Sequence, residues 1–155
     1  MELLLIRHAE ANSSQPDDAR TLTERGERRT RACAGVLRAL ELAPTLIYHS
    51  PLTRARQTAD LLPGESRVTQ LLARAPGDEL ETFVAGLEGD VIALVGHEPW
   101  MSALCSLYLT GSTRSASALP FKKGAVAWLR GDPRFAAMAL AAFMPPKIQR
   151  QIIAE

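Results

Sequence analysis

Five consecutive aliphatic residues, Val91-Ile92-Ala93-Leu94-Val95, stand between the turn Gly89-Asp90 and the pair Gly96-His97. A strand with one wet face alternates apolar and polar side chains. An unbroken run this short therefore predicts a strand covered on both faces, as in a parallel sheet packed between helices. The rest of the chain offers the matching parts. Leu3 to Ile6 and Thr45 to Tyr48 read as further strands, Val68 to Leu72 as another, and Gly124 to Leu129 and Ala137 to Phe143 as late ones. Helical patterns lie between them. From Leu22 to Leu42 the positions Ala32, Cys33, Val36, Leu37 and Leu40 recur at spacings of three and four, with Thr21 or Thr23 as the cap. Leu52 to Leu62, Asp78 to Leu87 and Pro99 to Leu109 read as the other helices, and the polar stretch Glu10 to Arg20 as a loop. Strands alternating with helices predict a layered α/β domain, and 155 residues suit one domain spanning 1–155.

Three of the strands end alike: Leu3 to Ile6 runs into Arg7-His8, Leu46 to Tyr48 into His49-Ser50 and then Arg54, and Val91 to Val95 into Gly96-His97. Ligands of open α/β sheets bind outside the carboxyl ends of the strands, so Arg7, His8, Arg54 and His97 are expected to meet there. Such a meeting makes an anion site, with guanidinium forks matched to phosphate oxygens and the amides of the helix after Ser50-Pro51 adding partial positive charge. The net charge of +1 gives no global pull on anions, so this local cluster has to supply it. A histidine held there can attack phosphorus directly while the arginines stabilise the equatorial oxygens, and neither metal nor cofactor is required.

Four segments carry a family resemblance. Leu5-Ile6-Arg7-His8-Ala9-Glu10-Ala11 resembles the Arg-His-Gly signature of the histidine phosphatase superfamily, and Leu22-Thr23-Glu24-Arg25-Gly26 its Leu-Thr-x-x-Gly helix start. Ser50-Pro51-Leu52-Thr53-Arg54-Ala55-Arg56-Gln57-Thr58 is similar to its Ser-Pro-x-x-Arg-Ala-x-Gln-Thr segment, and Gly96-His97-Glu98-Pro99 to its second-histidine motif. The resemblance implies a three-layer α/β/α sandwich with a mostly parallel central sheet flanked by helices. It also implies His8 as phosphoryl acceptor in a pocket of Arg7, Arg54 and His97. Short length, the Arg-His-Ala variant and Phe121-Lys122-Lys123-Gly124-Ala125 are most like the SixA-type phosphohistidine phosphatases, which implies a phosphorylated protein as partner. Ala9 departs from the signature glycine and adds a Cβ beside the nucleophile, which suits a backbone with φ below zero and not one with φ above it.

Two further features bear on substrate. About 18 residues run from Leu72 to Asp90, too few for a substantial helical lid, so an open pocket is expected. Imidazole, with a conjugate-acid pKa of about 6.5, leaves with little help, whereas an alkoxide must be protonated as it departs. Glu79, Glu81 and Glu10 are the candidate proton donors, Glu79 the favoured one. Hydrolysis of a small phosphoester or a mutase reaction on the same fold, and a weakly active adaptor that binds phosphate or phosphohistidine, are the alternatives.

Other patterns are read against plainer explanations. His8, His49 and His97 could form a three-ligand zinc site, but Arg7 and Arg54 would repel a cation. Arg20, Arg25, Arg28, Arg29 and Arg31 alternate with Glu24 and Glu27, which describes a solvated helix face better than a nucleic-acid surface. Lys122-Lys123 reads as a turn before a strand, or as a rim that meets an acidic partner. Neither nucleic acid nor membrane is expected as a partner: a net charge of +1 gives no global pull toward either, the apolar run within Met1 to Arg7 is far short of a secretory segment, and no stretch approaches a membrane span. Cys33 and Cys105 sit in apolar, helix-like settings as buried free thiols, which fits a cytoplasmic location.

Overall fold

A computed structural model describes residues 1–153. Its centre is a six-stranded sheet of β1 (Glu2–Arg7), β2 (Leu46–His49), β3 (Glu65–Val68), β4 (Val91–Gly96), β5 (Val126–Gly131) and β6 (Met138–Met144), in the order β3-β2-β4-β1-β5-β6. β3, β2, β4 and β1 pair in parallel, and β5 and β6 extend the sheet antiparallel. The helices are α1 (Glu24–Ala39), α2 (Thr53–Asp60), α3 (Asp78–Ala85), α4 (Trp100–Thr110) and α5 (Pro146–Ile153).

Alternation along the two middle strands divides the core into two layers. Leu3 and Leu5 of β1 and Ile92 and Leu94 of β4 pack against Leu80 and Val84 of α3 and Met101, Leu104 and Cys105 of α4. Leu4 and Ile6, with Val91, Ala93 and Val95, face the opposite way onto Cys33, Val36 and Leu37 of α1 and Ala55 and Ala59 of α2. β4 is buried at all six positions, as its unbroken apolar run requires. This is a three-layer α/β/α sandwich with a mostly parallel sheet. Both cysteines are free and buried, and burial pushes their thiols up to about 12, so they fill space rather than react. Among the described residues no helix is long and apolar enough to cross a membrane.

Two elements differ from the sequence expectation. The third strand is Glu65–Val68, not Val68 to Leu72; the apolar pair Leu71-Leu72 lies in a 3-10 turn, Gln70–Ala73, whose Leu72 plugs the core. Beyond the last strand expected from the sequence, Pro145-Pro146 opens a further helix, α5, where a proline with no N–H to satisfy suits the first helical turn. α5 lies against α1 and is pinned by the buried Gln149, whose amide donates to the carbonyls of Gly124 (2.9 Å) and Met144 (2.8 Å).

Candidate active site

Because β1, β2 and β4 run in parallel, their carboxyl ends emerge at one edge and bring Arg7-His8, His49-Ser50 and Gly96-His97 together. The backbone there is fixed. His8 N–H donates to Gly96 O at 3.0 Å, Ser50 N–H to Val95 O at 3.2 Å, and Gly124 N–H to His8 O at 3.0 Å. His8, His97 and Arg54 are all buried, and the two imidazoles sit 5.1 Å apart, centroid to centroid.

A carbonyl oxygen can only accept, so the 2.7 Å contact between His8 Nδ1 and Ala9 O fixes the proton on Nδ1. The lone pair of the neutral ring is then on Nε2. Burial, reinforced by the charges of His97, Arg54 and Arg7, lowers the His8 pKa to about 3, although the bond to Ala9 O opposes the shift. Burial and Arg54 likewise lower His97 to about 4, with Asp17 working in the opposite direction. Both rings are therefore neutral near pH 7. His97 Nε2 lies 2.5 Å from the hydroxyl of Ser50, which itself accepts from Leu52 N–H at 3.3 Å. Donation of the hydroxyl proton to Nε2 leaves His97 Nδ1 as an N–H donor.

Four buried side-chain polar atoms among the described residues have no partner, and three of them are Arg7 Nε, Arg54 Nε and His97 Nδ1. An unpaired buried donor costs about 1–3 kcal/mol, so three around one imidazole describe a site organised for an acceptor-rich anion. Arg7 is oriented by Phe121 O, to which Nη1 donates at 2.8 Å, and Arg54 by Asp17 O, to which Nη1 donates at 2.6 Å. The Asp17 carboxylate also pairs with Arg54 Nη2 at 3.4 Å.

α2 explains why arginine, glutamine and threonine occur as they do in Arg54-Ala55-Arg56-Gln57-Thr58. Each of the three side chains holds the loop after β1: Arg54 at Asp17, Gln57 by accepting Leu22 N–H at 2.8 Å, and Thr58 by accepting Ala9 N–H at 3.1 Å. Ala9 is not among the residues with positive φ and is buried, so its Cβ is accommodated without strain.

The candidate proton donors are engaged by other partners. Glu79, in the first turn of α3, pairs with Arg74 at 2.6 Å and lines a hollow with Leu71, Asp78, Thr82 and Phe83, apart from the histidine and arginine cluster. Glu81 accepts Phe135 N–H, and Glu10 accepts the hydroxyl of Thr23 at 2.9 Å, so both serve loop and helix ends. His49 turns its Nδ1 to Ser50 O at 2.7 Å, and no three His, Cys, Asp or Glu side chains among the described residues are grouped to hold a metal ion. The contact of Asp17 with Arg54 has no sequence signal beyond a polar loop, and the contact of Ser50 with His97 only the strand-end pattern.

The family model of the histidine phosphatase superfamily (branch 1) matches residues 3–73. An uncharacterised protein of Picosynechococcus sp. is 35% identical over 144 residues, covering 84% of this chain and 85% of its own. The structure of the protein histidine phosphatase SixA complexed with tungstate superimposes with a TM-score of 0.82 at 23% identity, covering 95% of this chain and 98% of the other. Phosphoserine phosphatase of Entamoeba histolytica, in complex with 3-phosphoglyceric acid, gives 0.72 at 17%, covering 92% and 96%. At these identities the two structures share the fold with this chain.

Proposed function

This chain belongs to the histidine phosphatase superfamily, and from that membership we propose that it hydrolyses phosphohistidine on a protein through a phosphoryl group carried on His8. The observation that carries the reading is the ring of unpaired buried donors, Arg7 Nε, Arg54 Nε and His97 Nδ1, about an imidazole whose other nitrogen is tied to Ala9 O.

In the first step His8 Nε2 attacks phosphorus, a new N–P bond forms, and the bond from phosphorus to the substrate's nitrogen breaks. The departing imidazole keeps the bonding pair and takes a proton. In the second step water attacks the phosphorus on His8, releasing inorganic phosphate and the free ring. Arg7, Arg54 and His97 donate to the oxygens whose charge builds up, which is where the electrostatic part of the catalysis lies. The leaving-group argument follows from the carboxylates. Glu10, Glu79 and Glu81 are occupied elsewhere, and Asp17, which touches the cluster, is an ion-pair acceptor for Arg54. A site poor in proton donors suits imidazole, which needs little help to leave. The segment between β3 and β4 holds a four-residue 3-10 turn and the eight-residue α3, which commits Leu80 and Val84 to the core. A segment this short and committed to the core is no substantial lid, which supports access by a phosphate borne on a protein. Hydrolysis of a small phosphoester is the second reading; it would make Asp17 the proton donor, since Asp17 is the carboxylate on Arg54.

The test compares kcat/KM for a phosphohistidine peptide and an alkyl phosphate in wild type, His8→Ala and Asp17→Asn, with rapid quench of each during turnover. The wild type should prefer phosphohistidine and yield acid-labile, base-stable protein phosphate. His8→Ala should lose both the trapped phosphate and the turnover, by a factor on the order of 10⁶. Near-normal turnover without His8 would end the mechanism. A preference for the alkyl ester that collapses by about 10² to 10⁴ in Asp17→Asn would establish the second reading instead.

A further inference from the structure

Next to the phosphate pocket lies an open groove of about 540 Å³ whose lining includes Arg7 and Ala9, the two chain neighbours of His8. Its walls carry Arg29 of α1, Lys122 and Lys123 of the turn before β5, and Lys147 and Arg150 of α5. With Arg7 that makes six cations against one carboxylate, Glu10, in a chain whose net charge is only +1. Glu10 is already engaged by the Thr23 hydroxyl at the start of α1. Among the described residues no carboxylate lies within 4.0 Å of Arg29, Lys122, Lys123, Lys147 or Arg150; the ion pairs of the molecule involve other arginines.

The fold brings these like charges together and holds them there. α5 packs along α1, which sets Lys147 and Arg150 across from Arg29, and the buried amide of Gln149 ties α5 to the carbonyl of Gly124, beside Lys122 and Lys123. Burial and repulsion by Arg25, Arg150 and Arg28 lower the pKa of Arg29, while Glu10 opposes them. Glu10 is the one carboxylate in the groove's lining, so most of this mutual repulsion is left for an anionic ligand to relieve.

Two anion sites thus adjoin, and they differ in kind. The pocket around His8 gathers a few buried donors about one ring, which suits a single phosphoryl group. The groove spreads the half-buried Arg29 and the exposed Lys122, Lys123, Lys147 and Arg150 over three elements, and its lysines act as point charges without a guanidinium fork. That arrangement matches several carboxylates strung along a chain better than one more phosphate. We propose that the groove is the docking site for an acidic stretch of the protein whose phosphohistidine occupies the pocket. This rests on the reading of the site as a phosphohistidine phosphatase and adds to it the chemistry of the partner.

Two phosphohistidine peptides of equal length, one flanked by Asp and Glu and one by Ser and Gly, together with free phosphohistidine, separate the two levels of the argument. Wild-type kcat/KM should favour the acidic peptide over the neutral one by about tenfold at low ionic strength, the scale expected of several exposed ion pairs acting together, and the preference should fade in 0.5 M salt. Two doubly substituted proteins, Lys147→Glu with Arg150→Glu and the milder Lys122→Gln with Lys123→Gln, should each erode the ratio of acidic to neutral peptide, the charge reversal bringing it to unity or below. Equal rates for the two peptides in wild type, or a preference that survives both substituted proteins, would overturn the docking site while leaving the phosphatase reading intact. Failure to hydrolyse any of the three substrates would instead strike at that reading, and the docking site would fall with it. An oligonucleotide or inorganic triphosphate that inhibits better than the unphosphorylated acidic peptide would overturn the assignment of the groove to a protein segment.

Discussion

His8 is kept neutral because charging it would require desolvating a cation beside two guanidiniums, and the bond from Nδ1 to Ala9 O offsets only part of that cost. The consequence reaches stability. Between the unfolded value of about 6.5 and the folded values of about 3 for His8 and about 4 for His97, the unfolded chain binds protons that the folded chain refuses. Stability contributed by the two rings is therefore present above about 6.5 and drains away as pH falls toward 3. Calorimetry should find that Tm drops more steeply from pH 7 to pH 4 in wild type than in a His8→Ala, His97→Ala protein; equal slopes would mean that the rings do not resist protonation. Much of this site is legible in the sequence, since Arg7, His8 and His97 end strands and Arg54 follows one closely. Asp17 is not legible: it acts through a backbone carbonyl and a carboxylate in a loop with no period, so its place depends on how the chain folds back. Glu79 misleads for a related reason, because a carboxylate in the first turn of a helix is favoured by the helix dipole whether or not a substrate is near.

Helix α1 joins the layers to the site through its first turn. Thr23 caps it by accepting Gly26 N–H at 3.0 Å, and the backbone of Gly26 comes so close to the loop after β1 that a Cβ there would stand 2.2 Å from Glu10 O. The obstacle is backbone and cannot swing aside. Gly26→Ala should cost about 3 kcal/mol, the upper end of ordinary overpacking. Gly35→Ala on the same helix, where the nearest atom is 4.0 Å away, should be neutral or gain up to about 1 kcal/mol. Urea midpoints for the two proteins test the contrast, and equal effects would show that the close approach is unimportant. Elements with a strong period, such as α1, are readable from sequence, and so is β4 from its unbroken run. β3 escapes because it is an edge strand whose residues are largely exposed, so nothing requires it to be apolar, while Leu71-Leu72 draws attention to the neighbouring turn. α5 escapes because a proline pair stops one element as readily as it starts the next.

At the scale of the whole molecule the sheet is graded from middle to rim. β4 and β1 lie in the centre, flanked on both sides and covered on both faces, whereas β3 closes one rim with exposed side chains. His8 and His97 hang from the ends of the two central strands. In deuterated buffer the amides of Leu3 to Ile6 and Ile92 to Val95 should exchange only when the entire chain opens, and those of β3 far sooner. Heat should therefore extinguish turnover along the same curve that it unfolds the protein, with no interval in which a folded but inactive enzyme accumulates. Measured side by side, inactivation that ran well ahead of unfolding would contradict this. A chemistry mounted on the last part of a fold to open keeps its timing for as long as the fold survives.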